Sequence, residues 1–212
     1  MSCKKRGFFV TFEGCEGAGK TTQLKLLEEK LKERGYKLEI TREPGGSRIG
    51  NTIRKILLNP ENKFLDSKAE ILLYAADRAQ DVQENIRPAL EEGKIVLADR
   101  FVASNLAYQG YGRGMDLEMI VAINKWVIED CQPDLTIILD VDVETGLKRA
   151  RDYSGTEDRL EQEEIDFHRR VRAGYLKLAA DENDRFVRVD ANCGVEKLSK
   201  KIFALVEKRL LS

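Results

Sequence analysis

Apolar and polar positions follow two different rhythms along this chain. Five short runs rich in apolar and β-branched residues lie at 8–13, 38–41, 95–98, 135–141 and 186–189. Their length and composition predict strands, most of them buried on both faces. Between the runs, apolar residues recur every three or four positions, as Leu24, Leu27 and Leu31 do. That spacing predicts helices at 21–34, 50–58, 67–92, 117–130, 144–151, 159–181 and 195–210. Strands alternating with helices build a parallel sheet with helices on both faces. The expected fold class is therefore α/β, with a five-stranded parallel sheet whose ligands lie beyond the carboxyl ends of its strands. Residues 13–22, 42–46 and 99–114 become the places to look for chemistry.

Length and charge narrow this only slightly. With 212 residues, the chain is of single-domain size, and 1–212 is read as one unit. There are 36 Lys and Arg against 37 Asp and Glu, a formal net charge of −1. No global basic excess suggests nucleic acid, so any anionic ligand must be gripped by local cations. No apolar run has the length of a membrane span, and the run after the basic N-terminus is too short for a signal-peptide core. Cys3, Cys15, Cys131 and Cys193 are scattered and His168 is the sole histidine. That speaks against a structural zinc site and a Ser-His-Asp triad. A reducing cytoplasm is the expected location.

The strand at 8–13 runs into Gly14-Cys15-Glu16-Gly17-Ala18-Gly19-Lys20-Thr21, and the helical pattern continues from Thr22. Strand, glycine loop and helix in this order make a phosphate-binding P-loop. Glycines let the backbone approach the ligand, the loop N–H groups converge on an anion, and the helix N-terminus adds its positive dipole end. Gly14, Cys15, Glu16, Gly17, Ala18, Gly19, Lys20, Thr21 and Thr22 are therefore the ATP-binding candidates. Lys20 reaches for the β- and γ-phosphates, and the Thr21 hydroxyl suits Mg²⁺.

The run at 95–98 ends in Asp99-Arg100. A carboxylate there can hold Mg²⁺ through its waters, and the neighbouring Arg100 can grip a second phosphate bidentately. Asp140 and Asp142, after the fourth run, are the rival Mg²⁺ carboxylates. A guanine-binding switch fits less well. Asn124-Lys125-Trp126-Val127 fails at the fourth residue of Asn-Lys-x-Asp, and Asp152-Tyr153-Ser154-Gly155 follows a helix rather than a strand. A kinase with two phosphorylated ligands uses the cations better.

The segment Asp99-Arg100-Phe101-Val102-Ala103-Ser104-Asn105-Leu106-Ala107-Tyr108-Gln109-Gly110-Tyr111-Gly112-Arg113-Gly114 resembles the signature of thymidylate kinases. So do Thr41-Arg42-Glu43-Pro44-Gly45-Gly46, Leu72-Leu73-Tyr74-Ala75-Ala76-Asp77-Arg78 and Asp158-Arg159-Leu160-Glu161. The resemblance implies the P-loop NTP hydrolase fold and transfer of the ATP γ-phosphate to dTMP with Mg²⁺. It also implies a homodimer. By the same resemblance, Tyr74 faces the thymine ring and Arg78 reaches a thymine carbonyl. Ser104, Asn105 and Gln109 lie near the base, Tyr108 lies under the deoxyribose and Arg100 holds the acceptor phosphate. Glu16 and Glu43 lie near sugar and metal, Arg54 lines the acceptor side, and Thr21 with Asp99 serves the metal. Read by residue type alone, Tyr74 is also compatible with core, Ser104 with a helix cap and 109–114 with a glycine turn. A deoxynucleoside kinase and a nucleotide switch without turnover remain the alternatives.

No arginine stands between Gly14 and Lys20. Thymidylate kinases come in two arrangements, and this chain resembles the one whose basic residues sit in a lid, here 149–160. Arg151 and Arg159 are expected at the transferring phosphoryl group, joining Lys20 and Arg100 as the catalytic set. Arg149 is expected on the adenine, with Asn192 in the loop that closes over it. Residues two apart on a helix point to different faces, so Arg149 and Arg151 both enter only if the helix frays there.

Overall fold

The computed structural model describes residues 6–155, 157–180 and 184–211. Residues 1–5 with Cys3, Thr156 of the expected lid, and Asp181 at the end of an expected helix lie outside the described residues. Strands β1 (Phe8–Glu13), β2 (Leu38–Arg42), β3 (Ile95–Asp99), β4 (Leu135–Asp140) and β5 (Phe186–Asp190) form one sheet in the order β2-β3-β1-β4-β5. Every pairing is parallel. The register sets Phe12 beside Asp99, and Asp99 beside Arg42. The carboxyl ends of β1 and β3 thus open at the same level, one carrying the glycine loop and the other Asp99-Arg100.

Alternation along β1 sends Val10 and Phe12 to one face and Phe9 and Thr11 to the other. On the first face, α1 (Lys20–Glu33) and α9 (Val195–Leu210) bury Leu24, Leu27, Leu31, Leu198, Ile202 and Val206 against Val10, Phe12, Ile137 and Leu139. Each such side chain contributes about 1.5–3 kcal/mol when fully buried. The second face is covered in two patches. Phe9, Val96 and Ala98 pack against α3 (Ser67–Asp81), α4 (Arg87–Glu91) and α6 (Leu117–Ile128). Ile138 packs in a cluster with Leu57 of α2 (Arg48–Leu58), Tyr108, and Phe167, Val171 and Tyr175 of α8 (Ile165–Ala180).

Four expected segments differ from the structure. The helix expected at 67–92 is continuous but widens into a π turn at Val82–Ile86, ahead of Pro88, which has no N–H for the regular ladder. Residues 99–114, expected without a helix, contain α5 (Val102–Asn105) and a second π segment, Leu106–Gly112. Its glycines serve close packing: a Cβ on Gly112 would stand 2.7 Å from the Phe167 ring of α8. Helix α7 (Val143–Ser154) runs beyond 151, to Gly155 in the left-handed region at φ 67°. Helix α8 begins only at Ile165, because Asp158 holds 158–161 in a turn, its Oδ1 accepting from the Leu160 and Glu161 N–H groups at 2.9 Å each.

Candidate active site

The glycine loop leaves its amides open. Gly19 caps α1 in the left-handed region at φ 88° without a side-chain hydrogen bond, so the first-turn N–H groups face outward for an anion. Gly17, at φ 62°, lies so close to α7 that a Cβ would stand 1.9 Å from the Gly146 carbonyl oxygen. Lys20 Nζ donates to the Gly14 and Cys15 carbonyls at 3.0 and 2.8 Å. Burial, with Arg100 nearby, lowers its pKa to about 8. Burial pushes the Cys15 thiol up to about 12, which leaves it an inert space-filling residue.

Thr21 Oγ1 donates to Asp99 Oδ2 at 2.5 Å, joining the two expected metal residues across α1 and β3. A hydroxyl and one carboxylate are hard oxygen donors at the mouth of a cleft. That set suits Mg²⁺, which keeps most of its water shell, better than a metal that needs a full protein cage. Among the described residues no group of three or more His, Cys, Asp or Glu could hold a metal ion. The rival Asp140 is held by Arg172 and Arg188 at 2.7 and 2.6 Å.

Arg100 follows β3 with φ 74°, a strained conformation for a side-chain-bearing residue. Its guanidinium donates to the Gly14 carbonyl, Ser104 Oγ, Tyr175 OH and Glu16 Oε1 at 3.1–3.3 Å. It also lies 5.0 Å from the Tyr108 ring centroid. Buried Glu13 organises this corner, accepting from the Phe101 N–H (2.8 Å), Ser104 Oγ (2.6 Å) and Tyr175 OH (3.0 Å). Ser104 is thus bound to Glu13 rather than capping a helix. Glu16 Oε1 accepts from the Tyr108 hydroxyl. Burial opposes the charge of Glu16, but His168, Arg100, Lys20 and Tyr108 together lower its pKa to about 2.

Beyond this corner lies a polar chain. Arg78, 1% exposed, pairs with Glu43 at 2.5 Å and donates to Asn105 and Asn124. Four of its five N–H groups are used, and one is left for a ligand. Asn105 Nδ2 donates to Gln109 at 2.9 Å, and Gln109 donates to Glu70 at 2.8 Å. Glu70 also takes Arg113 Nε at 2.7 Å and Arg159 at 2.5 Å.

These groups line a cleft of about 960 Å³. One end carries Gly17, Ala18, Gly19, Lys20, Thr21, Thr22 and Asp99. The other carries Glu43, Arg54, Tyr74, Arg78, Arg100, Ser104, Asn105, Tyr108 and Gln109. Arg149 also lines it, with one N–H on the Ala191 carbonyl at 3.2 Å. Six expected residues do not line it: Gly14, Cys15, Glu16, Asn192, Arg151 and Arg159. Gly14 and Glu16 stand just behind the wall, bonded to Lys20 and Arg100. Asn192 binds Asp190 at 3.1 Å. Arg151 is exposed and paired with Glu157 at 2.8 Å. Arg159 is 5% exposed, with Nε on the Leu57 carbonyl at 2.7 Å. Because α7 stays helical to Ser154, the fraying that Arg149 and Arg151 needed to share the site is absent.

Sequence reasoning missed Glu13, Glu70, Asn124, His168 and Tyr175. Glu13 was visible as a charge ending an otherwise buried strand. The others sit on amphipathic helices, where spacing alone gives them no distinction.

A cleft with a phosphate loop at one end and a cationic, aromatic acceptor wall at the other is what a nucleotide kinase requires. The thymidylate kinase family profile matches residues 12–202. The chain belongs to the thymidylate kinase family. It is 55% identical over 204 residues to the thymidylate kinase of Halothermothrix orenii, covering 95% of this chain and 97% of that protein. It is 51% identical to the enzyme of Lactobacillus helveticus, covering 97% and 98% of the two chains. The crystal structure of thymidylate kinase from Ehrlichia chaffeensis superposes with a TM-score of 0.78 at 34% identity, over 95% of this chain and 99% of that one. Its P-loop fold confirms the expected fold class. As a thymidylate kinase, the chain is an ATP:dTMP phosphotransferase that makes dTDP on the way to dTTP, with ATP as phosphate donor. Among the described residues no helix is long and apolar enough to cross a membrane.

Proposed function

We propose that this thymidylate kinase transfers the γ-phosphoryl group in line, with ATP held at the glycine-loop end of the cleft and dTMP at the Arg100 end. The observation that carries this reading is the shared opening of β1 and β3, which sets Lys20, Thr21, Asp99 and Arg100 along one wall. Lys20 and the open amides of α1 hold the donor phosphates. Lys20 exchanges its two loop carbonyls for phosphate oxygens, a trade favoured by the greater charge of the anion. Arg100 grips the acceptor phosphate, held in place by Glu16, Ser104 and Tyr175. Tyr108 supports the deoxyribose, where a ribose 2′-hydroxyl would clash. Tyr74 packs on thymine, and the remaining Arg78 N–H, Asn105 and Gln109 read its edge. Glu43 orients Arg78, while Arg54 lines the acceptor side. Thr21 and Asp99 would hold Mg²⁺, which would supply neutralisation of phosphate charge when bound.

The chemistry needs alignment and positive charge more than a base, because the dTMP phosphate is already anionic. Arg149 lines the cleft on the donor side, and Arg151 follows two residues later on the same helix. Arg149 is the proposed source of further positive charge over the donor, whereas Arg151 lies in solvent beside Glu157 and Arg159 anchors Glu70. Exposed Leu72 of α3 and Met119, Val121 and Trp126 of α6 support a homodimer. A cytoplasmic enzyme fits the free thiols of Cys15, Cys131 and Cys193 among the described residues.

The test is a coupled ADP-release assay with ATP and Mg²⁺. dTMP is expected to react well ahead of dUMP, dCMP, UMP and AMP, and chelation by EDTA to stop turnover. Preference for another monophosphate, or for thymidine, refutes the substrate assignment.

A further inference from the structure

The only histidine of the chain has no role in the transfer described above, yet it is buried against the glycine loop. His168 lies on α8, and its side chain is 1% exposed. Its Nδ1 stands 3.4 Å from Glu16 Oε2, the carboxylate oxygen that neither Tyr108 nor Arg100 uses. Neither that oxygen nor the two ring nitrogens has a hydrogen bond in the closed interior. The Phe167 ring stands edge-on at 5.5 Å. A buried carboxylate facing a buried imidazole at this distance calls for a proton on Nδ1, since a bare Nδ1 lone pair would face an oxygen lone pair; the neutral Nδ1–H tautomer supplies that proton, and the imidazolium adds a charge that the carboxylate favours.

The groups facing the pair can be named from each side. Arg100, Lys20 and Tyr108 face Glu16. Glu16 and Glu163 face His168, and Arg113 is paired with Glu163 at 2.9 Å. Burial works against the charge of His168, but Glu16 and Glu163 raise its pKa above the ordinary imidazole value.

Glu16 is the junction. One oxygen meets the Tyr108 hydroxyl and the Arg100 guanidinium, the two groups assigned to the acceptor sugar and phosphate. The other meets only His168. We propose that His168 is a positioning residue, whose imidazolium holds the Glu16 carboxylate so that Tyr108 and Arg100 are presented to dTMP. This rests on the acceptor-site reading given above. Helix α8 thereby reaches the acceptor site through a charge as well as through packing. Electrons and protons are not exchanged with substrate, so the effect belongs to acceptor binding rather than to the chemical step.

Having one histidine makes the test direct. In untagged protein, ¹⁵N-imidazole NMR reads His168 alone. The expected result is a midpoint above that of a free imidazole, shifted further upward when dTMP binds. Steady-state kinetics then compare His168→Phe and His168→Asn. The Phe variant removes the charge at similar volume, and Asn restores a donor near the Nδ1 position. His168→Phe is expected to raise KM for dTMP about tenfold, the scale of one lost charge-assisted hydrogen bond. KM for ATP stays within about twofold on the same scale. The loss of kcat/KM for dTMP that follows His168 deprotonation in the wild type should vanish in both variants, and Asn should recover most of the dTMP affinity. A midpoint at or below that of a free imidazole, an unchanged KM for dTMP in folded His168→Phe, or equal losses for both substrates overturns the inference. If the Phe variant does not fold, the NMR titration and the Asn variant decide. Arg100→Ala separates the two levels. Unchanged dTMP binding there defeats the acceptor-site reading itself, whereas a loss there with none in His168→Phe defeats only this inference.

Discussion

Replacing Arg159 with alanine separates a residue that anchors the fold from one that touches the transferring phosphoryl group. Arg159 bonds Glu70 Oε2 at 2.5 Å and the Leu57 carbonyl at 2.7 Å, and both it and Glu70 are buried. Removing one partner of a buried ion pair costs about 3–5 kcal/mol. Glu70 keeps Arg113 at 2.7 and 2.9 Å and Gln109 at 2.8 Å, so its charge stays compensated and the cost falls at the low end. The expected loss is about 3 kcal/mol, with the freed Leu57 carbonyl included. For a chain of this size that lowers Tm by about 6–12 °C. Urea unfolding followed by circular dichroism gives the stability. Initial rates at 25 °C, where the variant is still folded, give kcat. The expected kcat loss is about threefold or less, far short of the roughly 10³–10⁵ attached to an arginine on the transferring group. KM for dTMP should rise, because Glu70 also orients Gln109. A double-mutant cycle with Glu70→Gln should return a coupling of at least about 1 kcal/mol. An unchanged Tm with a thousandfold fall in kcat refutes the anchoring role and puts Arg159 on the phosphoryl group.

Arg100→Ala should lower kcat/KM for dTMP by about 10²-fold or more while ATP affinity, read by a fluorescent analogue, changes little. In the free enzyme Lys20 loses its proton at about pH 8. ATP affinity should therefore be flat below that pH and weaken as pH rises through it, and Lys20→Met should abolish both the affinity and its pH dependence. If positive charge over the donor comes from Arg149 of α7, Arg149→Ala should lower kcat more than ten times as much as it weakens ATP binding, by the rule that transition-state contacts act on kcat, while Arg151→Ala, in solvent beside Glu157, should change kcat little; no effect on kcat from Arg149→Ala would move that role elsewhere. Trp126 is 82% exposed on α6, so Trp126→Glu should convert a dimer to monomer in sedimentation velocity, and an unchanged sedimentation coefficient would place the interface on another face.

Local pattern determined the larger part of this protein. The strand-loop-helix at 8–34 was readable because a P-loop is contiguous: its geometry depends on glycines and on the flanking periodicities, all within a few residues. The inner strands β1, β3 and β4 were readable for the same reason, since burial on both faces leaves a continuous apolar run, and the half-exposed edge strands β2 and β5 were readable from their β-branched and aromatic residues. The acceptor residues were named from motif order, which ordinary spacing could not have supplied. Tertiary structure decided what depends on partners distant in sequence. Arg159 and Arg151 look alike in the chain, yet one is buried on Glu70 and the other lies in solvent beside Glu157. Tyr175 and His168 occupy ordinary helical positions, and only the packing of α8 brings them to Glu13 and Glu16. The physical reason is range. Backbone preference and hydrophobic period act over a few residues, whereas the pairing of buried charges is set by which elements meet, and a sequence read one segment at a time does not contain that meeting.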